Sequence, residues 1–199
     1  MGTPEILKGI SRTRVIPFFY HDCAMTLIQD YHQLIAALDT EIARIGEMHG
    51  ATLSCGPGCA SCCLAFSVLP IEAACLREAI VALPLASQEQ LNRNLAEGDA
   101  RCPLLIDDLC SVYAARPVIC RTQGLPLAYV DEEREAIEVS ACPLNFPDEY
   151  AFAPESLLFL DDFNGRLSEL NHIWCRTQGL DPNRRIPLRE IACLTPPGV

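Results

Sequence analysis

Cys55-Gly-Pro-Gly-Cys59-Ala-Ser-Cys62-Cys63 places four thiols within nine residues, separated by turn-forming glycines and a proline. Thiolates are soft ligands that suit zinc, Cu(I) and iron–sulfur clusters, and this spacing brings several sulfurs around one centre. Gly56 and Gly58 can take positive φ, which lets the loop curl and aim its N–H groups back at sulfur. Working outward, Cys102, Cys110, Cys120 and Cys142 fall at loops or element ends and extend the set to eight candidate metal ligands. Cys102-Pro103-Leu104 and Cys142-Pro143-Leu144 share a local sequence, and proline biases the residue before it toward extended backbone, a rigid way to present a thiolate. Vicinal Cys62 and Cys63 are expected to point apart, serving different metals or opposite sides of one cluster. Eight thiols suffice for two four-ligand sites, and the sequence does not partition them.

The rest of the composition is globular. Of 199 residues, half are hydrophobic and 21% charged, which suits one domain with a real core. Within it the reading distinguishes an N-terminal helical extension over 1–54, a cysteine-cluster metal-binding core over 55–146 and a C-terminal helical segment over 147–199. The net charge of −11, from 26 acids against 15 bases, forms no basic stripe, so neither nucleic acid nor an anionic membrane is an expected partner. Eight ionised thiolates would add to that charge, so bound cations should stabilise the fold. No stretch approaches the roughly 20 apolar residues of a membrane helix. The opening Met1-Gly-Thr-Pro-Glu-Ile lacks a charged start followed by a long apolar run, so no export signal is expected. In a reducing cytoplasm, 12 clustered cysteines read as metal ligands or redox groups rather than a disulfide framework.

Periodicity predicts a mainly α fold with a small β-hairpin, the irregular cysteine-rich loops packing on long helices. Residues 1–20 read as irregular. A long helix is predicted from Asp22, with Leu27, Ile28, Tyr31, Leu34, Ile35, Leu38, Ile42, Ile45 and Met48 at helical spacing and Gly50 as C-cap. Pro70 opens a second helix to about Ala82, in which Cys75 reads as a small buried hydrophobe. Ser87-Gln-Glu-Gln90 reads as a capping box for a third helix ending near Gly98. A helical turn is expected from Leu109 to Ala115, and a hairpin from Leu125–Asp131 and Ala136–Ser140. A long helix is expected from about Pro154 to Gly179, then a short one from Leu188 to Leu194.

The order of the knot, then Cys102-Pro-Leu-Leu, then Cys110-Ser-Val-Tyr-Ala-Ala-Arg-Pro-Val-Ile-Cys120-Arg121, then a late Cys-Pro, resembles the YkgJ-type cysteine-cluster family. Its members are described as zinc- or iron-chelating. The resemblance covers about Cys55 to Phe146 and implies the same eight ligands: Cys55, Cys59, Cys62, Cys63, Cys102, Cys110, Cys120 and Cys142. It also draws attention to Tyr113, Arg116, Pro117 and Arg121. Some relatives, such as flagellin lysine methylases, are associated with protein modification, but the shared motif is only the metal-binding part. From the residues themselves, Arg116 and Arg121 can hydrogen-bond sulfur or carboxylates and offset thiolate charge. The simpler reading pairs Arg116 with Asp107 or Asp108. Tyr113 reads as core packing, and Gln123 and Gly124 as candidates to line the site.

Two rival chemistries are weaker. Cys55-x3-Cys59-x2-Cys62 has the spacing of radical S-adenosylmethionine enzymes, but Ser61 stands where an aromatic residue is usual, Cys63 follows at once, and no βα alternation supports a barrel. Cysteine nucleophile chemistry needs a base, and of His21, His32, His49 and His172 only His49 lies near the knot, where it reads as the end of the first helix. The sequence therefore predicts a metal-chelating protein with a binding, interaction or accessory role, holding zinc or iron, the latter extending to a four-iron four-sulfur cluster. A protein partner fits the accessory role. The alternative is an iron–sulfur enzyme or accessory factor acting on another protein.

Overall fold

The computed structural model describes residues 18–98, 100–131, 133, 136–147 and 149–193. Six helices and seven short strands occur among them, so the protein is mainly α with small β elements. The first helix, α1 (Phe18–His49), has 32 residues and a length of about 48 Å. It starts four residues before the expected Asp22 and takes in Phe18, Phe19 and Tyr20, which read as irregular. Residues 1–17 of that stretch lie outside the described residues.

Two apolar cores share one helix. In the larger, Tyr31, Leu34, Ile35, Leu38 and Ile45 of α1 meet Leu167 of α5 (Asp161–Gln178), with Leu170 and Trp174 partly buried beside them. Each fully buried Leu or Ile in this stripe contributes about 1.5–3 kcal/mol from area burial. Ile71 and Cys75 of α2 (Pro70–Val81) close that core, and Cys75 is buried as the sequence reading has it. The opposite side of α2, through Ala73, Leu76 and Ile80, packs into the smaller core. There it meets Leu91 of α3 (Leu85–Glu97), Leu104, Val112 and α6 (Leu188–Ala192). Because α2 is buried on both sides, it fixes the position of everything attached to either core.

Several element boundaries differ from those predicted. The third helix starts at Leu85 rather than at a Ser87 cap: the Pro84 carbonyl already accepts the N–H groups of Ser87 and Gln88 at 2.9 and 3.1 Å. Gln88 reaches back to the carbonyls of Val81 and Leu83, so it ties α2 to α3 instead of capping a helix. The long C-terminal helix begins at Asp161, not near Pro154. Pro154–Ser156 is a 3-10 turn, and β6 (Leu158–Phe159) pairs parallel with the start of β4 (Leu127–Asp131), which commits that backbone to a sheet. Asp161 and Asp162 then supply the negative charge that favours a helix N-terminus. The last helix ends at Ala192, and Leu194 lies outside the described residues.

The expected hairpin is present: β4 pairs antiparallel with β5 (Ala136–Ser140), with Leu127 opposite Ser140 and Asp131 opposite Ala136. A second small sheet joins β1 (Ser67–Val68) to β7 (Ile186–Pro187). Among the described residues no helix is long and apolar enough to cross a membrane.

Candidate metal centre

The knot is two successive turns. Cys59 N–H bonds the Gly56 carbonyl at 3.0 Å and Cys63 N–H bonds the Ala60 carbonyl at 3.0 Å, so a cysteine closes each turn. Of the two glycines, only Gly58 takes positive φ, at +89°. Beyond the knot the chain is pinned: Leu64 forms an antiparallel bridge with Arg101, and Cys102 N–H donates to the Cys63 carbonyl at 2.9 Å. Cys63 and Cys102 are thereby held side by side.

Cys110 reaches the same place by a turn the sequence reading misses. Residues 109–110 are strand, not helix: β2 (Leu105–Ile106) pairs with β3 (Leu109–Cys110), placing Leu105 opposite Cys110. The two-residue connection, Asp107 and Asp108, has φ of 51° and 60°, the paired positive values of a type I′ hairpin turn. Arg101 pairs with Asp108 and anchors this turn to the bridge beside Cys102. Only Tyr113–Ala115 is helical there, as a 3-10 turn, and α4 (Val118–Thr122) follows with Cys120.

The outcome is one cavity of about 620 Å³ whose wall carries seven thiols: Cys55, Cys59, Cys62, Cys63, Cys102, Cys110 and Cys120. Cys142 is not on that wall. Cys55 and Cys59 are exposed and the other wall thiols are half-buried. Burial in apolar surroundings pushes Cys102 up to about 11 and Cys120 up to about 12, with the neighbouring thiols adding to both. Burial likewise raises Cys62, which feels Cys63, Cys55 and Cys59, and raises Cys63, which feels Cys110 and Cys59. Arg116 opposes the rise at Cys63 and Cys110. A donor set of thiols with few oxygens fits zinc or iron rather than calcium or magnesium. Among the described residues no three His, Cys, Asp or Glu side chains already stand as a group able to hold a metal ion. Binding must therefore draw the sulfurs in from the wall.

Three buried or constrained residues that sequence reasoning undervalued position this wall. Asn145, 5% exposed, accepts Ser54 N–H at 3.0 Å and donates to the Gly124 carbonyl at 2.7 Å and to Cys55 Sγ at 3.2 Å. Gly124, with φ of +92°, lies so close that an added Cβ would stand 2.6 Å from Cys55 Sγ. The repeated motif held the clue to Asn145: where Cys102-Pro-Leu continues with Leu105, Cys142-Pro-Leu continues with a polar residue. Glu72 is the third. Buried in α2, it accepts Leu69 N–H and Val118 N–H, both at 3.0 Å, and so joins the N-termini of α2 and α4. Burial holds its carboxyl above the ordinary range, partly offset by those two donors. A Glu two residues after Pro70, in the first turn of a helix, is a legible cap signal.

The arginines divide their roles differently from the sequence reading. Arg116 does not take Asp108, which pairs with Arg101; its guanidinium lies 3.6 Å over the Tyr113 ring and its Nη1 bonds the Cys120 carbonyl at 3.5 Å. Tyr113 is not core packing: it is 63% exposed at the cavity rim, as the partner of that cation. Arg121 is a strap. It bonds the carbonyls of Arg116 and Ala114 and both carboxylate oxygens of Asp39 on α1, the latter at 2.8 Å. Gln123 lines the cavity, as expected. His49 is engaged elsewhere, its ring nitrogens facing Tyr150 Oη and the Ser156 carbonyl among Phe146, Tyr150 and Phe152. Neither the seven wall cysteines nor Cys142 are joined in a disulfide.

Neither the curated proteins nor the solved structures compared with the chain gave a match. Residues 54–143 match the family model CxxCxxCC, described as a putative zinc- or iron-chelating domain, and this segment, which carries the knot and all four later cysteines of the set, is where the chain is similar to that cysteine-cluster family.

Proposed function

We propose that the protein is a cytoplasmic metal-chelating module that binds zinc or iron through the thiolates of the cavity wall, in a binding or accessory role. The observation that carries this reading is the convergence of seven cysteines, spread over 66 positions from Cys55 to Cys120, on one cavity. Cys142, the eighth candidate, stands off the wall and is linked to it through Asn145, whose N–H bonds the Cys142 carbonyl at 3.0 Å. The wall residues hold and orient sulfur; a bound zinc would supply a structural cross-link, and iron would add redox capacity. Thiols held up to about 11 and about 12 are protonated at neutral pH, so binding releases their protons. Affinity therefore falls as pH drops, by about tenfold per unit for each such proton.

The experiment is metal content by elemental analysis of anaerobically purified protein, with acid-labile sulfide assayed alongside. Zinc at one or two per chain without sulfide supports a chelating or structural module; iron with matching sulfide supports a cluster. Neither metal, with the protein folded and its thiols free, overturns the reading. One observation favours the alternative of an iron–sulfur enzyme or accessory factor acting on another protein. The cavity is far larger than one tetrahedral ion fills, and two of its thiols are exposed.

A further inference from the structure

We propose that Asn145 is a positioning residue of the metal centre: its buried amide fixes the Cys55 sulfur on the cavity wall and donates to it a hydrogen bond that is kept when that sulfur holds metal. This rests on the chelating reading and adds to it a donor that is not itself a ligand.

The orientation of the amide is set by its partners. Ser54 N–H can only donate and the Gly124 carbonyl can only accept, so Oδ1 faces Ser54 at 3.0 Å and Nδ2 faces Gly124 at 2.7 Å. Turning the amide over would set donor against donor and acceptor against acceptor. Nδ2 carries a second N–H, and this one meets Cys55 Sγ at 3.2 Å.

Gly124 makes the approach possible. Its missing Cβ would stand 2.6 Å from Cys55 Sγ and 3.4 Å from Asn145 Nδ2, so sulfur and amide together fill the space a side chain would take. Cys55 is otherwise exposed, and an exposed side chain on a loop is free to change rotamer. Seated between Gly124 and Asn145, its sulfur is held at the wall in advance of any ion.

Asn145 is in turn fixed to the helical core. Its N–H and that of Phe146 both bond the Cys142 carbonyl, at 3.0 and 2.9 Å. Phe146, itself buried, packs edge-on against His49 at the end of α1, with ring centroids 4.9 Å apart. The late Cys142-Pro-Leu-Asn145 segment thus carries the rigidity of α1 to the first thiol of the knot through an amide. An N–H bond to sulfur strengthens when the sulfur is charged, as a metal-bound thiolate is. It stabilises the lone pairs of that sulfur without taking a coordination position on the ion.

The test measures zinc affinity by competition with a chromophoric chelator, on the reduced full chain and on Asn145→Ala, Cys55→Ala and the double variant. The thiolate–cobalt(II) charge-transfer band is recorded for each. Asn145→Ala should weaken zinc binding by about 10–100-fold, the usual effect of losing a group that orients a metal ligand. In the Cys55→Ala background the same change should alter zinc affinity by no more than about twofold, since an amide acting through Cys55 has nothing left to act on. The cobalt band of Asn145→Ala should move to longer wavelength, because loss of the donor raises the sulfur lone pair in energy. An equal loss of affinity with and without Cys55, or a cobalt band that stays in place, would reduce Asn145 to a loop tie and overturn the proposal while leaving chelation intact. No zinc bound by the folded wild type would overturn chelation, and the proposal with it. If Asn145→Ala fails to fold, Asn145→Asp takes its place: it keeps the acceptor for Ser54 N–H, removes the donor to sulfur, and should show the same band shift. If Cys55→Ala binds no zinc, the cobalt band decides alone.

Discussion

The helical core around α1 and α5 and the cysteine-lined cavity lie on opposite sides of α2, and they hold their shape by different physics. The first is a stripe of Leu and Ile side chains, several with no exposure at all, whose burial stabilises it without help. The second is built from turns, two-residue strands and a five-residue helix, elements too short to be stable alone. It is kept in place by single hydrogen bonds from Glu72, Asn145 and Arg121 and by its attachment to α2. The comparison teaches where a ligand matters: a region with little packing of its own gains most from a cross-link.

Removal of metal is the strongest way to break that contrast. Structural zinc contributes on the order of 10 kcal/mol to small domains that depend on it. Chelation should therefore speed amide exchange by orders of magnitude over residues 53–66 and 100–125, while α1 and α5 stay protected; uniform loss of protection across the chain would show that the two regions are not separate. The mirror experiment is Leu38→Ala. Leu38 is fully buried in the helical core, so its truncation should cost about 2–5 kcal/mol in chemical denaturation. Metal content should be unchanged, and a fall in it would show that the helical core also shapes the cavity.

Glu72 sits on the seam. Glu72→Gln leaves only one oxygen for two buried N–H groups, an expected loss of about 1–3 kcal/mol. The pH dependence carries its own sign. Because the folded carboxyl is held above its ordinary range, the folded chain retains a proton that the unfolded chain gives up. Wild-type stability relative to the glutamine variant should then decline as pH rises from the ordinary carboxylate range to the raised value, and level off beyond it. A relative stability that climbs with pH would reverse the assignment. The smallest effect is expected at Gly124→Ala. A left-handed alanine costs about 1–2 kcal/mol, and its Cβ must also displace the Cys55 sulfur. Faster reaction of Cys55 with a thiol reagent would register that displacement, and an unchanged rate would mean that the loop yields instead.

Much of the helical half was legible before folding. The 3.6-residue recurrence of Leu27, Tyr31, Leu34, Leu38 and Ile45 fixes α1, and Gly98 and Gly179 end α3 and α5 in the left-handed conformation, where the sequence reading ends them. The errors cluster where neighbours in space outweigh local pattern. Pairing of Leu158–Phe159 with β4 delays α5, and an Asp-Asp turn makes strand of residues 109–110. Tyr113 looked apolar enough for a core yet lies exposed beneath Arg116, because a cation over an aromatic face is a contact between side chains that no periodicity records.

Sequence alone determined the donor chemistry: thiols in a tight knot followed by further cysteines near proline, a set that selects soft metals whatever the fold around them. Only the tertiary structure decided which of those thiols share a wall. Local spacing reaches no further than a turn, whereas Cys63, Cys102, Cys110 and Cys120 reach the wall of one cavity through a bridge, a hairpin and a buried carboxylate on α2.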